Sequence, residues 1–134
     1  MSHWIFKNES YDPEYDKISH AGFVYIITNN ITGKKYIGKK IFTFAKTKQV
    51  KKKKKKFRIA SDWKSYFGSN KELKHDVENL GKENFTREIL HLCKTKGTAN
   101  YFEIYEIMVR QAILSEEYYN QWISVKVSKS QIKF

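Results

Sequence analysis

The sequence predicts a small α/β domain of the α+β type, with a mostly antiparallel sheet of three strands flanked by helices. Two neighbouring runs, residues 23–28 and 35–41, consist largely of β-branched and aromatic side chains, which are typical of half-buried strands. A third run of this kind covers residues 84–93. Apolar residues at helical spacing lie both before and after it. The length of 134 residues fits one domain.

The first two strands form a predicted hairpin. Their connection, residues 29–34, is rich in Asn and Thr and contains Gly33, which can adopt the positive φ that ends a tight loop. Tyr25 and Tyr36 lie one on each strand, so the hairpin can bring two phenols to one face. Lysines border that face, and this pattern favours an anionic substrate. Tyrosines on the surface of a hairpin are also common for structural reasons alone.

The residues before the hairpin have a different charge balance from the rest of the chain. Residues 1–21 are locally acidic and contain several aromatic side chains, which can dock onto a neighbouring core. We expect an N-terminal extension packed on a single domain that covers residues 22–134.

A strongly basic segment follows the hairpin. From Lys39 to Arg58 the chain has eleven basic residues and no acidic one. Because six adjacent lysines repel one another, we expect a mobile loop over about residues 42–60, inserted in the domain. It can contact nucleic-acid phosphates with salt-sensitive, sequence-independent affinity, or it can be a solvated loop that resembles a nuclear-localisation signal. The candidate DNA-binding residues are Lys39, Lys40, Lys51, Lys52, Lys53, Lys54, Lys55 and Lys56.

Two helices are expected before the third strand. Ser61 begins a short one that ends near Gly68, and the sequence Ser-Asn-Lys-Glu at 69–72 is a capping box for one that runs to about Leu80. In the strand at 84–93, period-two alternation places Ile89 and Cys93 on one face.

The longest helix is expected from Thr98 to about Leu114, and a last strand at residues 122–127. The predicted apolar arc of this helix consists of Phe102, Tyr105, Met108, Val109 and Ala112. Glu106 stands four residues before Arg110 and favours an ion pair with it, which leaves Glu103 the freer carboxylate. A shift of the helix boundary would exchange the two.

Charge and cysteine content narrow the class of protein. The net charge of +12 predicts a polyanionic partner, of which nucleic acid is the commonest and an anionic membrane the rival. No apolar run is long enough to span a bilayer, and no basic amphipathic helix stands apart from the core. The N-terminal residues lack a secretion signal, so we expect a cytoplasmic protein. The single cysteine, Cys93, excludes an internal disulfide and a cysteine-cluster zinc site.

Two tyrosines, many cations and a helix carboxylate are what remains for chemistry, since Gly-rich phosphate loops, nucleophile elbows and His-x-x-x-His pairs are missing. This set suits metal-assisted phosphodiester hydrolysis. That reaction needs a base for water, a cation for the developing charge and a carboxylate that holds a divalent ion.

The same residues carry a family likeness. Phe23-Val24-Tyr25, ten intervening residues and Tyr36-Ile37-Gly38 resemble the two halves of the GIY-YIG nuclease motif. Later segments are similar to the Seg-type free-standing phage endonucleases of that superfamily, and the likeness covers about residues 22–123. These segments are Trp63-Lys64-Ser65-Tyr66-Phe67-Gly68-Ser69, Gly81-Lys82-Glu83-Asn84-Phe85, Ile89-Leu90, Glu103-x-x-x-Ile107 and Tyr119-Asn120.

The resemblance implies a role for each site residue. Tyr25 would act as general base or orient the attacking water, with Tyr36 beside the scissile phosphate. Gly38 would keep the second strand open for close approach, Glu103 would hold one Mg²⁺ (or Mn²⁺), and Asn120 would support the site. A free phenol has a pKa of about 10, so either tyrosine needs a nearby cation or the metal to act as a base at neutral pH.

The catalytic arginine of the family has no obvious counterpart. The segment after the motif holds Lys46 and then the lysine run, and Arg58 is the only arginine before Arg87. We expect Arg58 to fill the role, with Lys46 second, because a guanidinium can span two phosphate oxygens.

The resemblance therefore implies a Mg²⁺-dependent endonuclease that cuts double-stranded DNA through an activated water, working in a phage-infected bacterial host. A homodimer is allowed. The alternative is a nucleic-acid-binding module that keeps the fold and has lost the catalytic arginine.

Overall fold

A computed structural model of the chain describes residues 3–50, 53–123 and 129–134, with the side chains of residues 46–50 and 53–56 outside that description. Within these ranges the α-helices are α1 (Lys71–Leu80) and α2 (Lys96–Val109). The strands are β1 (Trp4–Phe6), β2 (Glu9–Tyr11), β3 (Gly22–Asn29), β4 (Lys35–Ile41), β5 (Thr43–Val50), β6 (Lys53–Ala60) and β7 (Phe85–Cys93).

The main sheet has five strands in the order β2-β1-β7-β3-β4. Strands β1 and β7 run parallel and the other neighbours antiparallel, so the sheet is mixed. The α+β class is confirmed, whereas the prediction of three strands is wrong because the N-terminal segment adds two. Lys7 and Asn8, at φ 50° and 68°, form the two-residue turn between β1 and β2. Strands of three residues are too short to show a period in the sequence.

Strands β3 and β4 form the predicted hairpin, with Tyr25 opposite Gly38. Asn29 shapes the connection, since its side-chain Oδ1 accepts hydrogen bonds from the backbone N–H groups of Ile31 and Thr32 at 3.0 and 3.2 Å. Gly33 has a φ of +80°, as its position in the loop requires.

Each face of the sheet buries its own cluster. Phe23, Tyr25 and Ile27 alternate onto the face that packs against α1, and the residues between them face α2. A bulge in β7 shifts its pairing with β3 between Val24 and Tyr25. Ile89 therefore belongs to the α1 side and Cys93 to the α2 side, so their predicted common face is wrong.

The basic segment, expected as a mobile loop over about residues 42–60, forms two paired strands in the residues described. Strands β5 and β6 pair antiparallel through eight residues each and form a separate two-stranded sheet. Residues 51 and 52 lie outside the described ranges. Repulsion between lysine side chains disfavours the pairing of β5 with β6. Thr43, Phe44 and Ile59 favour strands, however, and backbone pairing needs no particular side chain.

The base of this hairpin is closed on the body of the domain. The backbone N–H of Phe42 donates to the carbonyl of Ala21 at 3.0 Å, and that of Ser61 donates to the carbonyl of Phe42 at 2.8 Å. Phe42 is buried in the α1-side cluster.

Helix α1 begins and ends near the expected residues. Asn70, rather than Ser69, caps α1 by accepting a hydrogen bond from the N–H of Leu73 at 2.9 Å. The expected helix after Ser61 is a single 3₁₀ turn, Trp63–Ser65.

Helix α2 is capped by Thr95 instead of Thr98, and it stops at Val109 instead of Leu114. Gln111 has a φ of +54°, which breaks the helix before a 3₁₀ turn at Ala112–Leu114. The predicted apolar arc is wrong in part, because Tyr105, Met108 and Val109 are exposed. The buried face consists of Gly97, Thr98, Ala99, Glu106 and Ile107.

The segment after α2 runs along the outer edge of β4. The backbone N–H of Lys35 donates to Glu117 at 2.9 Å, and that of Tyr119 donates to Lys35 at 2.7 Å. Of the strand expected at 122–127, Trp122 and Ile123 are not in a strand and the remaining residues lie outside the description. None of the described helices is both long and apolar enough to cross a membrane.

Candidate active site

A pocket of about 220 Å³ opens where the edge strand β4 meets α2 and the segment after it. It brings together four residues that the sequence singled out for chemistry, together with Lys39. The lining residues are Tyr25, Tyr36, Ile37, Lys39, Ser69, Glu103, Ile107, Asn120, Trp122 and Ile123.

Tyr25 reaches this pocket from inside the core. Its side chain is 1% exposed, and its ring lies 5.1 Å from that of Trp4 and 6.1 Å from that of Tyr66. Burial raises the pKa of Tyr25 well above its usual value, and a hydrogen bond with Tyr66 raises it further. Tyr25 is therefore a protonated phenol at neutral pH in the protein alone.

Gly38 provides the space through which this hydroxyl reaches the edge of the sheet. It pairs with Tyr25 across the hairpin. A Cβ at position 38 would lie 2.6 Å from Cζ of Tyr25 and closer still to its hydroxyl. The close approach at this glycine is thus made by the partner tyrosine itself.

Tyr36 stands on the same side of the sheet as Tyr25 but nearer to solvent. The two ring centroids are 6.2 Å apart, and the hydroxyl of Tyr36 lies 3.2 Å from Oγ of Ser69. Burial raises the pKa of Tyr36, while the hydrogen bond with Ser69 lowers it. Ser69 was expected as part of a helix cap, and instead it positions this phenol.

Glu103 enters the pocket from α2 on the opposite side of β4. Its side chain is 15% exposed, and Oε1 lies 3.9 Å from Nζ of Lys39. Burial raises the pKa of Glu103, whereas the charge and the backbone N–H of Lys39 lower it. The next carboxylate on the helix is engaged elsewhere: Glu106 pairs with His91 at 2.7 Å and, as predicted, with Arg110 at 3.0 Å.

Asn120 fixes the strand that carries both Tyr36 and Gly38. Its side chain accepts a hydrogen bond from the N–H of Ile37 at 2.9 Å and donates one to the carbonyl of Ile37 at 2.8 Å. The amide thus pairs with the edge of β4 as a further strand would, and it fixes the position of β4 in the pocket wall.

The expected arginine is placed on the basic hairpin. The guanidinium of Arg58 donates to the hydroxyl of Thr43 at 2.8 and 3.0 Å and to its carbonyl at 2.8 Å. Among the residues that the structure describes, no arginine lines the pocket.

The remaining lysines divide into two groups. Lys40 pairs with Asp62 at 2.7 Å and lies 4.0 Å from the ring centre of Tyr66, outside the pocket lining. Lys51 and Lys52 lie outside the described residues, as do the side chains of Lys46, Lys53, Lys54, Lys55 and Lys56.

The sequence did not predict the part that three residues have in this site. Tyr66 bonds to Tyr25 and Ser69 to Tyr36, although both lie about thirty residues away from the hairpin. Lys39, expected to contact only the DNA backbone, stands beside the carboxylate. In the sequence, a lysine directly after a strand glycine is a weak signal. It meets Glu103 only because α2 packs on β4.

Glu103 is the carboxylate among the pocket-lining residues that could hold a divalent ion. Among the described residues no cluster of three His, Cys, Asp or Glu side chains could hold a metal. Glu103 supplies one carboxylate in an open pocket, and Mg²⁺ commonly binds through one or two carboxylates with water and substrate phosphate completing its shell. One carboxylate suits a metal ion whose other ligands would come from water and from the substrate.

Comparison with known proteins agrees with this geometry. The family model described as "Putative endonuclease segE, GIY-YIG domain" matches residues 4–123. A protein of Enterobacteria phage T4, named "Putative endonuclease segE", is 36% identical over 99 residues, which are 73% of this chain and 39% of that relative. The chain thus spans well under half of the relative's length. No solved structure gives a significant match. Since the family model covers both tyrosines and Glu103, the chain belongs to the SegE-type GIY-YIG endonuclease family.

Proposed function

We propose that this protein is a metal-dependent DNA endonuclease that hydrolyses a phosphodiester bond with an activated water. The observation that carries the proposal is the single pocket in which Tyr25, Tyr36, Lys39 and Glu103 meet. Membership of the family supports nuclease activity in general. The residue set supports this particular reaction, because it supplies hydroxyls, a cation and a carboxylate within one small volume.

Double-stranded DNA is the proposed substrate. The chain carries a net charge of +12, and the hairpin between residues 43 and 60 has nine basic residues and no acidic one. A ribbon of this charge gains affinity by displacing counterions from phosphates. Lys51 to Lys56 are proposed as such contacts. Lys39 lines the pocket, and Lys40 pairs with Asp62, next to the base of the hairpin.

The two phenols orient the reacting groups. Because burial keeps Tyr25 protonated, its hydroxyl can donate a hydrogen bond and hold a water or a phosphate oxygen in line. Tyr36 lines the same pocket nearer to solvent, and its hydroxyl has Ser69 as hydrogen-bond partner. In this proposal Tyr36 receives the phosphate and Tyr25 orders the water.

Charge compensation comes from Lys39 and from the ion that Glu103 would hold. Lys39 places a positive charge where negative charge develops on the phosphate oxygens. A bound Mg²⁺ or Mn²⁺ would polarise the phosphate and lower the pKa of water. The neighbouring lysine also favours the ionised carboxylate that metal binding requires.

The test is nicking of supercoiled plasmid with Mg²⁺ or Mn²⁺ by the wild type and by Glu103→Gln. We expect the variant to lose at least about 100-fold in rate, because metal-derived stabilisation is worth several kcal/mol. Glu78→Gln is the matched control, since Glu78 is an exposed carboxylate on α1 outside the pocket. Equal cutting by wild type and Glu103→Gln would remove Glu103 from the mechanism.

A nucleic-acid-binding module without catalysis is the second candidate. It is favoured by one observation, that Arg58 is bonded to Thr43 and no arginine lines the pocket among the described residues. Binding of DNA that weakens steeply with salt, with no cutting by the wild type under either ion, would select this candidate.

A further inference from the structure

Trp122 is the exposed tryptophan at the mouth of the candidate active site. Its side chain is 74% exposed, whereas Trp4 and Trp63 are 1% and 3% exposed in the core. A large aromatic ring in water can gain free energy of burial when a flat apolar partner covers it. Trp122 lines the 220 Å³ pocket itself, together with Tyr36 and Glu103.

The ring also lines a second groove that continues from the first. This groove has a volume of about 410 Å³ and shares Tyr36, Ser69, Asn120 and Trp122 with the pocket. Its other lining residues are Asn70, Lys71, Glu72 and Gln121. A substrate strand that places one phosphate at Tyr36 therefore extends its next nucleotide into a groove with an aromatic wall and amide and lysine side chains.

The backbone that carries Trp122 is anchored close by. Asn120 is 6% exposed and holds Ile37 through two hydrogen bonds, and the N–H of Tyr119 bonds to Lys35. The ring thus stands two residues beyond a segment that is fixed on β4. A short tether to this fixed segment limits the region that the ring can occupy, which lowers the conformational cost of binding.

We propose that Trp122 stacks on an unpaired base of the nucleotide next to the scissile phosphate. This inference rests on the proposed function and names its substrate class, DNA with an unstacked or single-stranded nucleotide at the cutting position. A nucleic-acid base is the occupant because the groove is continuous with the catalytic pocket and the chain is strongly basic. In an intact duplex both faces of a base are covered, so stacking on Trp122 requires a base that has left the helix.

The experiment uses Trp122 as its own reporter. Acrylamide quenching of intrinsic fluorescence is dominated by this residue, because the other two tryptophans are buried. The probes are a twelve-residue oligothymidylate and an abasic oligomer of equal length and charge, both in EDTA so that no cutting occurs. We expect oligothymidylate to shield Trp122 from acrylamide and the abasic oligomer to leave it accessible.

Variants separate stacking from general adhesion. Trp122→Ala is expected to lose between about fivefold and about 150-fold in affinity for oligothymidylate, the range for one base–aromatic stack, while Trp122→Phe retains most of it. Leu114→Ala is the matched control, since Leu114 is a still more exposed apolar residue that lines neither the pocket nor the adjoining groove. Equal shielding by both oligomers, or equal affinity of Trp122→Ala and the wild type, would overturn the inference.

The outcome is independent of cleavage. Shielding by oligothymidylate in a protein that nicks no plasmid would support the stacking site and contradict the proposed hydrolysis. Normal nicking with no shielding would leave the proposed hydrolysis in place and remove the stacking site.

Discussion

The pocket and the basic hairpin are built in opposite ways. Tyr25 and Asn120 are held in the pocket by ring contacts, paired strands and hydrogen bonds to buried backbone. The hairpin strands pair with each other in a sheet of their own and join the body through Phe42 and Ser61. The proposed chemistry thus lies among packed elements, whereas the basic residues belong to a two-stranded sheet separate from the main one.

In the proposed function, this difference separates catalysis in the pocket from affinity for DNA on the hairpin. Catalytic groups act only within a narrow range of distances, so they belong on rigid strands and helices. Counterion release depends on the number of charges and little on their geometry, so a projecting ribbon suffices. Changes in the pocket should therefore affect the rate of cutting, and changes in the ribbon should affect DNA binding.

Replacing Gly38 by alanine should give the largest effect. The new Cβ would meet the ring of Tyr25 at 2.6 Å, and the buried ring cannot move away. We expect a loss of about 100-fold in plasmid nicking, since a displacement of about 1 Å is enough for that. Thermal unfolding should show a loss of about 1–3 kcal/mol from overpacking.

Gly33→Ala is the control for this loss of stability. Gly33 has a φ of +80° and no neighbour within 4 Å, so alanine there costs about 1 kcal/mol without touching the pocket. Its nicking rate should stay near that of the wild type. If Gly38→Ala also cuts normally, Tyr25 does not need its place over Gly38.

Removing the hairpin should give the next largest effect, and on binding. The hydrogen bond from Ser61 to Phe42 lets a two-residue Asn-Gly turn replace residues 43–60. We expect DNA affinity at about 0.1 M salt to fall at least about tenfold and the salt dependence to become shallower, because nine cations are lost. Filter binding or anisotropy over a salt series measures both.

The same variant tests the role of Arg58. At saturating protein concentration we expect nicking within about tenfold of the wild type, because the guanidinium is bonded to Thr43 and lies outside the pocket lining. Complete loss of cutting at saturation would return the catalytic role to Arg58 or another residue of the hairpin.

The smallest effect concerns stability and pH. Burial raises the pKa of Glu103 in the folded protein, so its ionisation opposes folding once the pH exceeds the pKa of the unfolded chain. Glu103→Gln should therefore unfold at a slightly higher urea concentration than the wild type at pH 7. The gain should vanish below the usual carboxyl range, where both states are protonated.

Urea titrations of both proteins at pH 7 and in acid measure this difference. A variant that is less stable than the wild type at pH 7 would show that the contacts with Lys39 outweigh the burial of the carboxylate. A gain in stability with a loss of cutting would mark Glu103 as a residue kept for activity.

Local pattern predicted the parts of the fold that are long and regular. The β-branched and aromatic runs around Tyr25 and Tyr36, the turn at Gly33 and the cap near Ser69 placed the hairpin and α1 within a residue or two. It failed for short strands such as Trp4–Phe6 and for the basic hairpin, because their stability comes from pairing with a partner rather than from their own period.

The sequence alone determined the motif and the net charge, because spacing and charge are local properties, and it favoured Glu103 over Glu106 as the freer helix acid. Only the tertiary structure decided that Tyr25 passes over Gly38, that Lys39 faces Glu103 and that Arg58 bonds to Thr43. Each of these depends on how one element packs on another. The sequence does not show which residues, distant in the chain, will be in contact. The physical reason is that packing, unlike propensity, is decided by the whole core at once.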